Sequence, residues 1–229
     1  MSRHPSIEPA SDHSLLVSFG DRIERSLHEQ VRALAESLVA APVRGAVNVH
    51  PAYASVLIDF RPLEVPMDEM EREVRLRLSQ CAKRDAPESR LVEVPVCYGG
   101  DLGPDLGAVA RHCGLAEDEV IARHAAAEYL VHFLGFSPGF PYLGGMDPAL
   151  ETPRLDSPRK SVAAGSVAIG GNQTGIYPLA SPGGWRIIGR TPLRLFDPGR
   201  RPPELLRMGD SVRFRAIGAS EFAGLAAGD

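Results

Sequence analysis

The first third of the chain alternates short apolar runs with longer amphipathic segments. Three β-rich runs predict strands: His13–Phe19, Val43–Val49 and Ser55–Phe60. Apolar residues at helical spacing predict helices over Ile23–Ala40 and Met67–Cys81. The resulting order is β-α-β-β-α, with a possible final strand at Leu91–Val96, so the pattern predicts a ferredoxin-like domain over residues 1–88.

A second domain is predicted over residues 89–229, after a charged, proline-containing linker at Lys83–Ser89. It begins with the strand Leu91–Val96 and is mostly β, which predicts a closed or nearly closed barrel and an α+β fold overall. Two short helices and three further strands are expected at Asp105–Cys113, Glu117–Ala127, Tyr129–Leu134, Leu193–Phe196 and Ser211–Ile217. The tail Ala219–Asp229 is expected to fray.

Glycine and proline are concentrated between Gly135 and Pro198, which hold 11 Gly and 9 Pro in 64 residues. Aromatic residues are interleaved with them, so the segment can bury a core and form shaped loops rather than a flexible linker. Loops of this kind commonly carry binding chemistry. We therefore expect the functional site in this segment.

Composition excludes several classes of function. A net charge of −4 gives no electrostatic footprint for nucleic acid. No apolar run approaches the roughly 20 residues of a membrane helix, and the start lacks the apolar region of a signal peptide, so a cytoplasmic protein is expected. The three cysteines and seven histidines have no metal-ligand spacing, so no metal site is predicted.

The segment Gly135–Gly139 matches the G-x-S-x-G pattern of a serine nucleophile elbow. An elbow needs a helix directly after the serine and a backbone N–H on the next residue. The residue after Ser137 is Pro138, which has no N–H and disfavours the helix. A serine hydrolase is therefore excluded.

Three other features each permit two interpretations. The turn Gly170–Gly175 could be an anion-binding nest or a β-turn, and its polar side chains favour a site because they would need partners if buried. Trp185, the only tryptophan, could wall a pocket or plug one end of a barrel. His132 could face a cleft, although a core or surface histidine is the commoner outcome.

Several blocks resemble one bacterial family in order: GFSPGFPYLGGMDP, TPRLDSPR and AGSVAIGGNQTGIYPLASPGGWRIIGRTPLRLFDP. The family contains the B subunit of 5-oxoprolinase, the Kip-type inhibitor of a sporulation histidine kinase and allophanate hydrolase subunit 1. The resemblance implies a ferredoxin-like domain followed by a cyclophilin-like barrel with carboxyltransferase-domain relatives. It also implies partners, namely the 5-oxoprolinase C subunit, which is of the Kip-antagonist type, together with the A subunit.

The activity that the resemblance implies is opening of the lactam 5-oxo-L-proline to L-glutamate, coupled to hydrolysis of ATP, with Mg²⁺, at the level of the complex. The alternatives are inhibition of a histidine kinase and a carboxyltransferase role in a biotin-dependent urea-type enzyme. Phosphorylation of the lactam oxygen would require cations, backbone donors and a polar grip on the substrate carboxylate.

That chemistry identifies candidate binding residues but assigns a catalytic role to none of them. Arg159, Lys160 and Arg190 are candidates for charge, and the amides of the glycine-rich turn with its Asn and Gln are candidates for orientation. The full set of candidate cleft residues is His132, Ser137, Arg159, Lys160, Gly170, Gly171, Asn172, Gln173, Tyr177, Trp185 and Arg190.

Overall fold

The chain divides into two compact units, Met1–Glu88 and Ser89–Asp229, which we call the N-terminal unit and the barrel unit. The structure, a computed structural model, describes residues 5–81 and 89–227. The predicted linker Lys83–Ser89 therefore lies, except for Ser89, outside the described residues.

The N-terminal unit packs two helices on a four-stranded antiparallel sheet of order β1-β2-β4-β3. Its elements are β1 Ser6–Ser11, β2 Ser14–Ser18, α1 Arg25–Ala40, β3 Ala46–Pro51, β4 Ser55–Phe60 and α2 Met67–Cys81. Val56, Ile58 and Phe60 alternate along β4 and are buried, as the period of two requires. The predicted strands and both helices of this unit are present, with α2 at its predicted bounds.

The strand at one edge of this sheet was not predicted. The sequence offers Leu91–Val96 both as a possible last strand of the first domain and as the first strand of the second, and these residues lie in the barrel unit. The outer position next to β2 is occupied instead by β1, which pairs antiparallel with β2. The sequence SIEPAS of β1 is mostly polar and contains Pro9, a composition that only an edge strand tolerates.

The barrel unit is built around a closed barrel of seven strands in the order β10-β7-β6-β13-β5-β12-β9. Its strands are β5 Leu91–Tyr98, β6 Glu128–Leu134, β7 Pro141–Gly144, β8 Arg159–Val162, β9 Ser166–Gly170, β10 Gln173–Ile176, β11 Ser181–Gly183, β12 Arg186–Arg190 and β13 Ser211–Ala216. Its helices are α3 Leu106–Cys113, α4 Glu117–Ala126 and α5 Ala219–Ala226. Strands β8 and β11 form a separate two-stranded ribbon. The predicted barrel and the mixed α+β class are confirmed.

Strand β9 is buried on both faces, and this separates the two apolar clusters of the barrel unit. Val167 and Ile169 belong to the main core, whereas Ala168 packs on the other face with Phe140 and Trp185. Since side chains alternate along a strand, the second cluster lies on the opposite side of β9 from the main core. That cluster positions the candidate site described below.

The main core also encloses a hydrogen-bonded histidine. His124 of α4 is fully buried, with Nε2 at 2.9 Å from the Thr174 hydroxyl and Nδ1 at 2.8 Å from the Tyr98 hydroxyl. The Thr174 hydroxyl donates to the Ala168 carbonyl at 3.1 Å, so it accepts from His124 Nε2–H. Nδ1 is then the acceptor for Tyr98, and burial lowers the pKa of His124 to about 3.

Two predictions for the end of the chain are wrong. Leu193–Phe196 is not a strand; Phe196 makes only an isolated bridge to Glu204, and the neighbouring strand of the barrel is β12. Pro192 directly before this run lacks the N–H that a ladder needs. The tail forms the helix α5 instead of fraying, because its alanines and Leu225 favour a helix. Within residues 5–81 and 89–227, no helix is long and apolar enough to cross a membrane.

Candidate functional site

An open cleft of about 380 Å³ lies against the second apolar cluster of the barrel unit. We call it the aromatic cleft. Four separate segments contribute its walls: the Gly135–Tyr142 region, residues 154–158, Tyr177, and the turn at residues 182–185. The lining residues are Phe136, Phe140, Tyr142, Arg154, Leu155, Pro158, Tyr177, Pro182, Gly183, Gly184 and Trp185.

The aromatic walls pack edge to face around one ring. The centroid of Phe140 lies 5.2 Å from Tyr142, 5.3 Å from Tyr177 and 5.6 Å from Trp185, with interplanar angles of 60°, 82° and 85°. These are favourable geometries for aromatic pairs, each contributing about 0.5–1.5 kcal/mol beyond burial. The cleft is therefore preformed, with rings fixed by one another.

The loop that carries the G-x-S-x-G match is a tight turn and not an elbow. The Ser137 N–H donates to the Gly135 carbonyl at 2.7 Å, and the Phe140 N–H donates to the Ser137 carbonyl at 3.0 Å. Strand β7 follows, so the helix of an elbow is absent here. Phe136 has φ 66° and is 64% exposed, an uncommon conformation for a bulky residue that places its ring at the rim of the cleft.

Arg154 supplies positive charge to the lining of the aromatic cleft. Its guanidinium lies 5.6 Å from the centroid of Trp185, within the range of a cation–π contact. Within the described part of the chain, no carboxylate pairs with it at 4 Å or less. The backbone on either side is anchored: the Pro153 carbonyl accepts from Arg186 Nε at 3.2 Å, and the Leu155 N–H donates to the Gly184 carbonyl at 2.7 Å.

A second guanidinium, that of Arg159, affects the electrostatics of Tyr177, one of the lining residues. Its Nη2 donates to Asp105 Oδ1 at 2.8 Å, while its Nη1 is buried without a hydrogen-bond partner in the described structure. Burial raises the pKa of the Tyr177 phenol, and the Trp185 backbone amide and the charges of Arg154 and Arg159 partly oppose that shift. Tyr177 therefore keeps its proton at neutral pH and can donate a hydrogen bond.

Two glycines allow the rings to approach the backbone. A Cβ on Gly170 would lie 2.6 Å from the Trp185 ring, and a Cβ on Gly183 would collide with the Tyr177 hydroxyl. No real Cβ contact is that short, so any larger residue would move the ring. Gly170 thus shapes the aromatic cleft through Trp185 without lining it.

We expect Gly170→Ala to displace Trp185 and to lower the free energy of unfolding by about 1–3 kcal/mol, the usual cost of overpacking. Urea unfolding and the emission maximum of the single tryptophan would measure both effects. Gly224→Ala is the matched control, since a Cβ there meets nothing within 4 Å and the residue lies in α5. Equal midpoints and equal emission for the two variants would contradict the packing argument.

The structure brings only some of the predicted residues together. Tyr177 and Trp185 line the aromatic cleft, so the pocket-wall interpretation of Trp185 is favoured over the barrel plug. Ser137 lies in the loop beside the cleft. The charge of Arg159 affects the pKa of Tyr177, and Gly170 leaves room for the Trp185 ring. None of these three lines the cleft, so only two of the eleven candidates do. The other six also lie outside the lining: His132, Lys160, Gly171, Asn172, Gln173 and Arg190.

The glycine-rich turn behaves as a β-turn between β9 and β10. The Gly171 N–H, which an anion nest would need, donates to the Thr152 carbonyl at 2.8 Å. Asn172 is exposed, and Thr174 is bonded to His124. The positive φ of 67° at Gly171 explains the glycine there without a ligand.

The other outlying candidates have separate surroundings. His132 is buried beside Gly144, and burial lowers its pKa to about 4, so it is neutral at physiological pH. Lys160 is exposed on β8. Arg190 donates through Nε to the Ala164 carbonyl at 2.8 Å and lines a second cleft with Phe222 of α5.

Sequence reasoning missed several cleft residues, above all Arg154, Phe136, Phe140 and Tyr142. The signal that could have found them is their place in the blocks GFSPGFPY and TPRLDSPR, which already carried the family resemblance. Neither block has a spacing that predicts contact between them. Within the described residues, no group of three or more His, Cys, Asp or Glu is placed to hold a metal ion.

Comparison with known proteins defines the class first. The model of the family "Carboxyltransferase domain, subdomain C and D" matches residues 5–206, so the chain belongs to this family. Its curated relatives then give a more particular likeness. The chain is 42% identical over 226 residues to the 5-oxoprolinase B subunit of Bacillus subtilis, a match that covers 94% of each chain. The predicted family is confirmed.

A further relative and one solved structure agree with that assignment. The chain is 51% identical over 187 residues to the 5-oxoprolinase B subunit of Escherichia coli O157:H7, covering 81% of this chain and 84% of the relative. The crystal structure of TTHA0988 superposes with a TM-score of 0.79 at 38% identity over 90% of this chain. This chain spans only 40% of the length of that protein.

Proposed function

We propose that this chain is the B subunit of a 5-oxoprolinase, a hydrolase component that works on 5-oxo-L-proline together with other subunits. The observation that carries the proposal is the end-to-end similarity to proteins of that name, at 42% identity over 94% of both chains for the Bacillus subtilis relative. Similarity of this extent includes both units of the chain and every segment of the aromatic cleft.

The composition of the aromatic cleft supports a division of labour between subunits. Among the described residues, its lining contains aromatic rings, prolines, glycines, Leu155 and one cation, Arg154, but no carboxylate or histidine. Such a set can bind and orient a small ring, whereas general acid–base catalysis near neutral pH most often uses a carboxylate or an imidazole within hydrogen-bond reach of the reacting atoms. We propose that the partners, which are the C subunit of the Kip-antagonist type together with the A subunit, supply that group.

We propose that the complex couples ring opening to ATP, with Mg²⁺, because the amide carbon of an unstrained lactam is a poor electrophile. The glycine-rich turn of this chain does not fit a phosphate cradle, since the Gly171 N–H is already donated to Thr152. We propose that the partner subunits bind the nucleotide. This chain contributes binding and orientation of the substrate.

Finer points of structure and location follow the same proposal. The βαββα order of β2 to α2 supports a ferredoxin-like N-terminal unit in which β1 replaces the usual last strand. The closed barrel supports a cyclophilin-like second unit. Three free cysteines, Cys81, Cys97 and Cys113, support a reducing compartment, the cytoplasm.

Co-expression with the partner subunits tests the function directly. We expect the purified complex to convert 5-oxo-L-proline to L-glutamate only when ATP and Mg²⁺ are present, and each component on its own to be inactive or feeble. Glutamate would be measured by an enzyme-coupled assay and ATP consumption by phosphate release. A complete complex that forms no ATP-dependent glutamate would refute the proposal.

A further inference from the structure

We propose that the aromatic cleft is the substrate subsite and that Arg154 is the residue that selects an anionic lactam over a neutral one. This rests on the proposed function, because it names the group on this chain that would recognise 5-oxoproline. The ligand chemistry is a small, flat ring that carries one carboxylate. The aromatic walls of the cleft suit the flat ring, and the charge of Arg154 suits the carboxylate.

The walls fit the ring. Phe140, Tyr142, Tyr177 and Trp185 hold one another in edge-to-face contacts, so they present faces and edges that do not need to rearrange around a ligand. The volume of about 380 Å³ lies near the lower end of the range for small-molecule sites. A flat five-membered amide ring can bury its apolar face against such walls.

The charge fits the carboxylate. Among the described residues that line the cleft, Arg154 is the only charged one, and no described carboxylate pairs with it. A planar guanidinium is suited to bidentate binding of a carboxylate, and its anchored backbone on both sides limits the conformational cost. The cleft therefore carries an unbalanced positive charge at an apolar surface, which favours an anion.

Tyr177 and Arg159 add to the preference of the cleft for an anion. The Tyr177 hydroxyl keeps its proton and can donate to an oxygen of the ligand. The buried Nη1 of Arg159 has no hydrogen-bond partner in the described structure, and this guanidinium acts electrostatically on Tyr177. A buried donor without a partner is costly unless a ligand or water satisfies it. We therefore expect the carboxylate to bind Arg154, with the Tyr177 hydroxyl as a second donor and the charge of Arg159 adding to the positive potential.

The single tryptophan gives a direct assay, because Trp185 lines the cleft and is the only tryptophan of the chain. The full-length chain would be titrated separately with 5-oxo-L-proline, with 2-pyrrolidinone, which is the same ring without the carboxylate, and with ATP. We expect a saturable change in fluorescence with 5-oxo-L-proline alone. A stronger response to 2-pyrrolidinone or to ATP, or no saturable response to 5-oxo-L-proline, would overturn the assignment.

Arg154→Gln should weaken binding of 5-oxo-L-proline by roughly 10- to 100-fold, the usual effect of losing a hydrogen bond to a charged group. Arg154→Lys, which keeps the charge but not the planar fork, should lie between the wild type and Arg154→Gln. Arg213→Gln is the matched control, because Arg213 is an exposed arginine of the same unit that pairs with Glu128 at 3.3 Å. Equal affinity of Arg154→Gln and Arg213→Gln would overturn the role of Arg154.

The assembled enzyme separates this proposal from the proposed function. In the complex, Arg154→Gln should raise the KM for 5-oxo-L-proline by a similar factor and leave the KM for ATP unchanged. If the wild-type complex forms glutamate but Arg154→Gln has a normal KM, the site assignment fails and the function stands. If the wild-type complex forms no glutamate although the chain binds 5-oxo-L-proline, the function fails and the subsite stands.

Discussion

Between pH 7 and pH 5 the free energy of unfolding of the barrel unit is expected to fall by about 4 kcal/mol, about 2 kcal/mol from each of two buried histidines. Burial lowers the folded-state pKa of His124 to about 3 and that of His132 to about 4, from an ordinary value of 6.5. Below pH 6.5 both histidines bind protons in the unfolded chain, whereas in the folded chain they stay neutral until the pH approaches their lowered pKa values. Stability is therefore complete above pH 6.5 and is lost as the pH falls toward the folded pKa values.

Burial of His124 explains why its ring stays neutral in the folded chain. The ring is fully buried and stacked at 4.5 Å on Phe214, so a positive charge on it would lose its hydration. The neutral ring has both nitrogens satisfied, since its Nε2–H donates to Thr174 and its Nδ1 accepts from Tyr98.

Urea unfolding followed by the fluorescence of Trp185 would measure this, because the only tryptophan lies in the barrel unit. His124→Gln should remove about half of the slope of stability against pH. His132→Gln provides the same test if His124→Gln does not fold. His112→Gln is the control, since His112 is exposed. A free energy of unfolding that stays constant from pH 7 to pH 5 would contradict the prediction.

Replacing Asp105 by Ala is expected to lower the free energy of unfolding of the barrel unit by about 3 kcal/mol. The carboxylate has two partners: Arg159 Nη2 at 2.8 Å from Oδ1 and the Ile187 N–H at 2.7 Å from Oδ2. Its side chain is only 10% exposed, so water cannot replace it for both partners. Removing it leaves a guanidinium and a backbone N–H of β12 without an acceptor.

The same variant should disturb the aromatic cleft, because Ile187 follows Trp185 by two residues and Arg159 begins β8. Asp105→Asn keeps an acceptor without the charge, so its cost should be smaller than that of Asp105→Ala. Glu93→Gln is the matched control: Glu93 pairs with Arg215 at the same 2.8 Å, but both side chains are about half exposed. Exposed pairs contribute about 0–1 kcal/mol, so this control should unfold almost as the wild type does.

A loss of similar size in Asp105→Asn and Glu93→Gln would contradict the argument, because burial is what distinguishes the two carboxylates. Urea midpoints at pH 7 would supply the comparison. The emission of Trp185 before unfolding would report whether the cleft changes in Asp105→Ala.

Elements with a strong local period could be predicted from the sequence. Helix α2 has its predicted bounds, and β4 and β13 begin at their predicted first residues, because buried positions recur at the spacing of a helix or a strand. Strand β1 could not be predicted, since SIEPAS has no such period and becomes a strand only by pairing with β2. The strand at Leu91–Val96 could be predicted, but the sequence left open which of the two domains it joins, because its parallel partner β13 lies more than a hundred residues later.

The segment predicted to carry the site contains the aromatic cleft, but the sequence predicted only two of the residues that line it. Tyr177 and Trp185 stood out because an aromatic beside glycines is conspicuous. The glycine-rich turn was equally conspicuous and is explained by backbone geometry at Gly171, whose N–H is already bonded. Arg154 could not be singled out from the sequence, because its role depends on the absence of a described carboxylate paired with it and on its contact with the Trp185 ring.

By itself, the sequence determined the barrel class and the family to which the chain belongs, and it predicted a two-domain plan without a serine nucleophile elbow. Those properties depend on local periodicity, on the missing N–H of Pro138 and on blocks of residues read in order. Only the tertiary structure decided which rings and charges share the aromatic cleft. Four segments separated by up to about 50 residues meet there, and their meeting is set by strand pairing and packing, which no local pattern encodes.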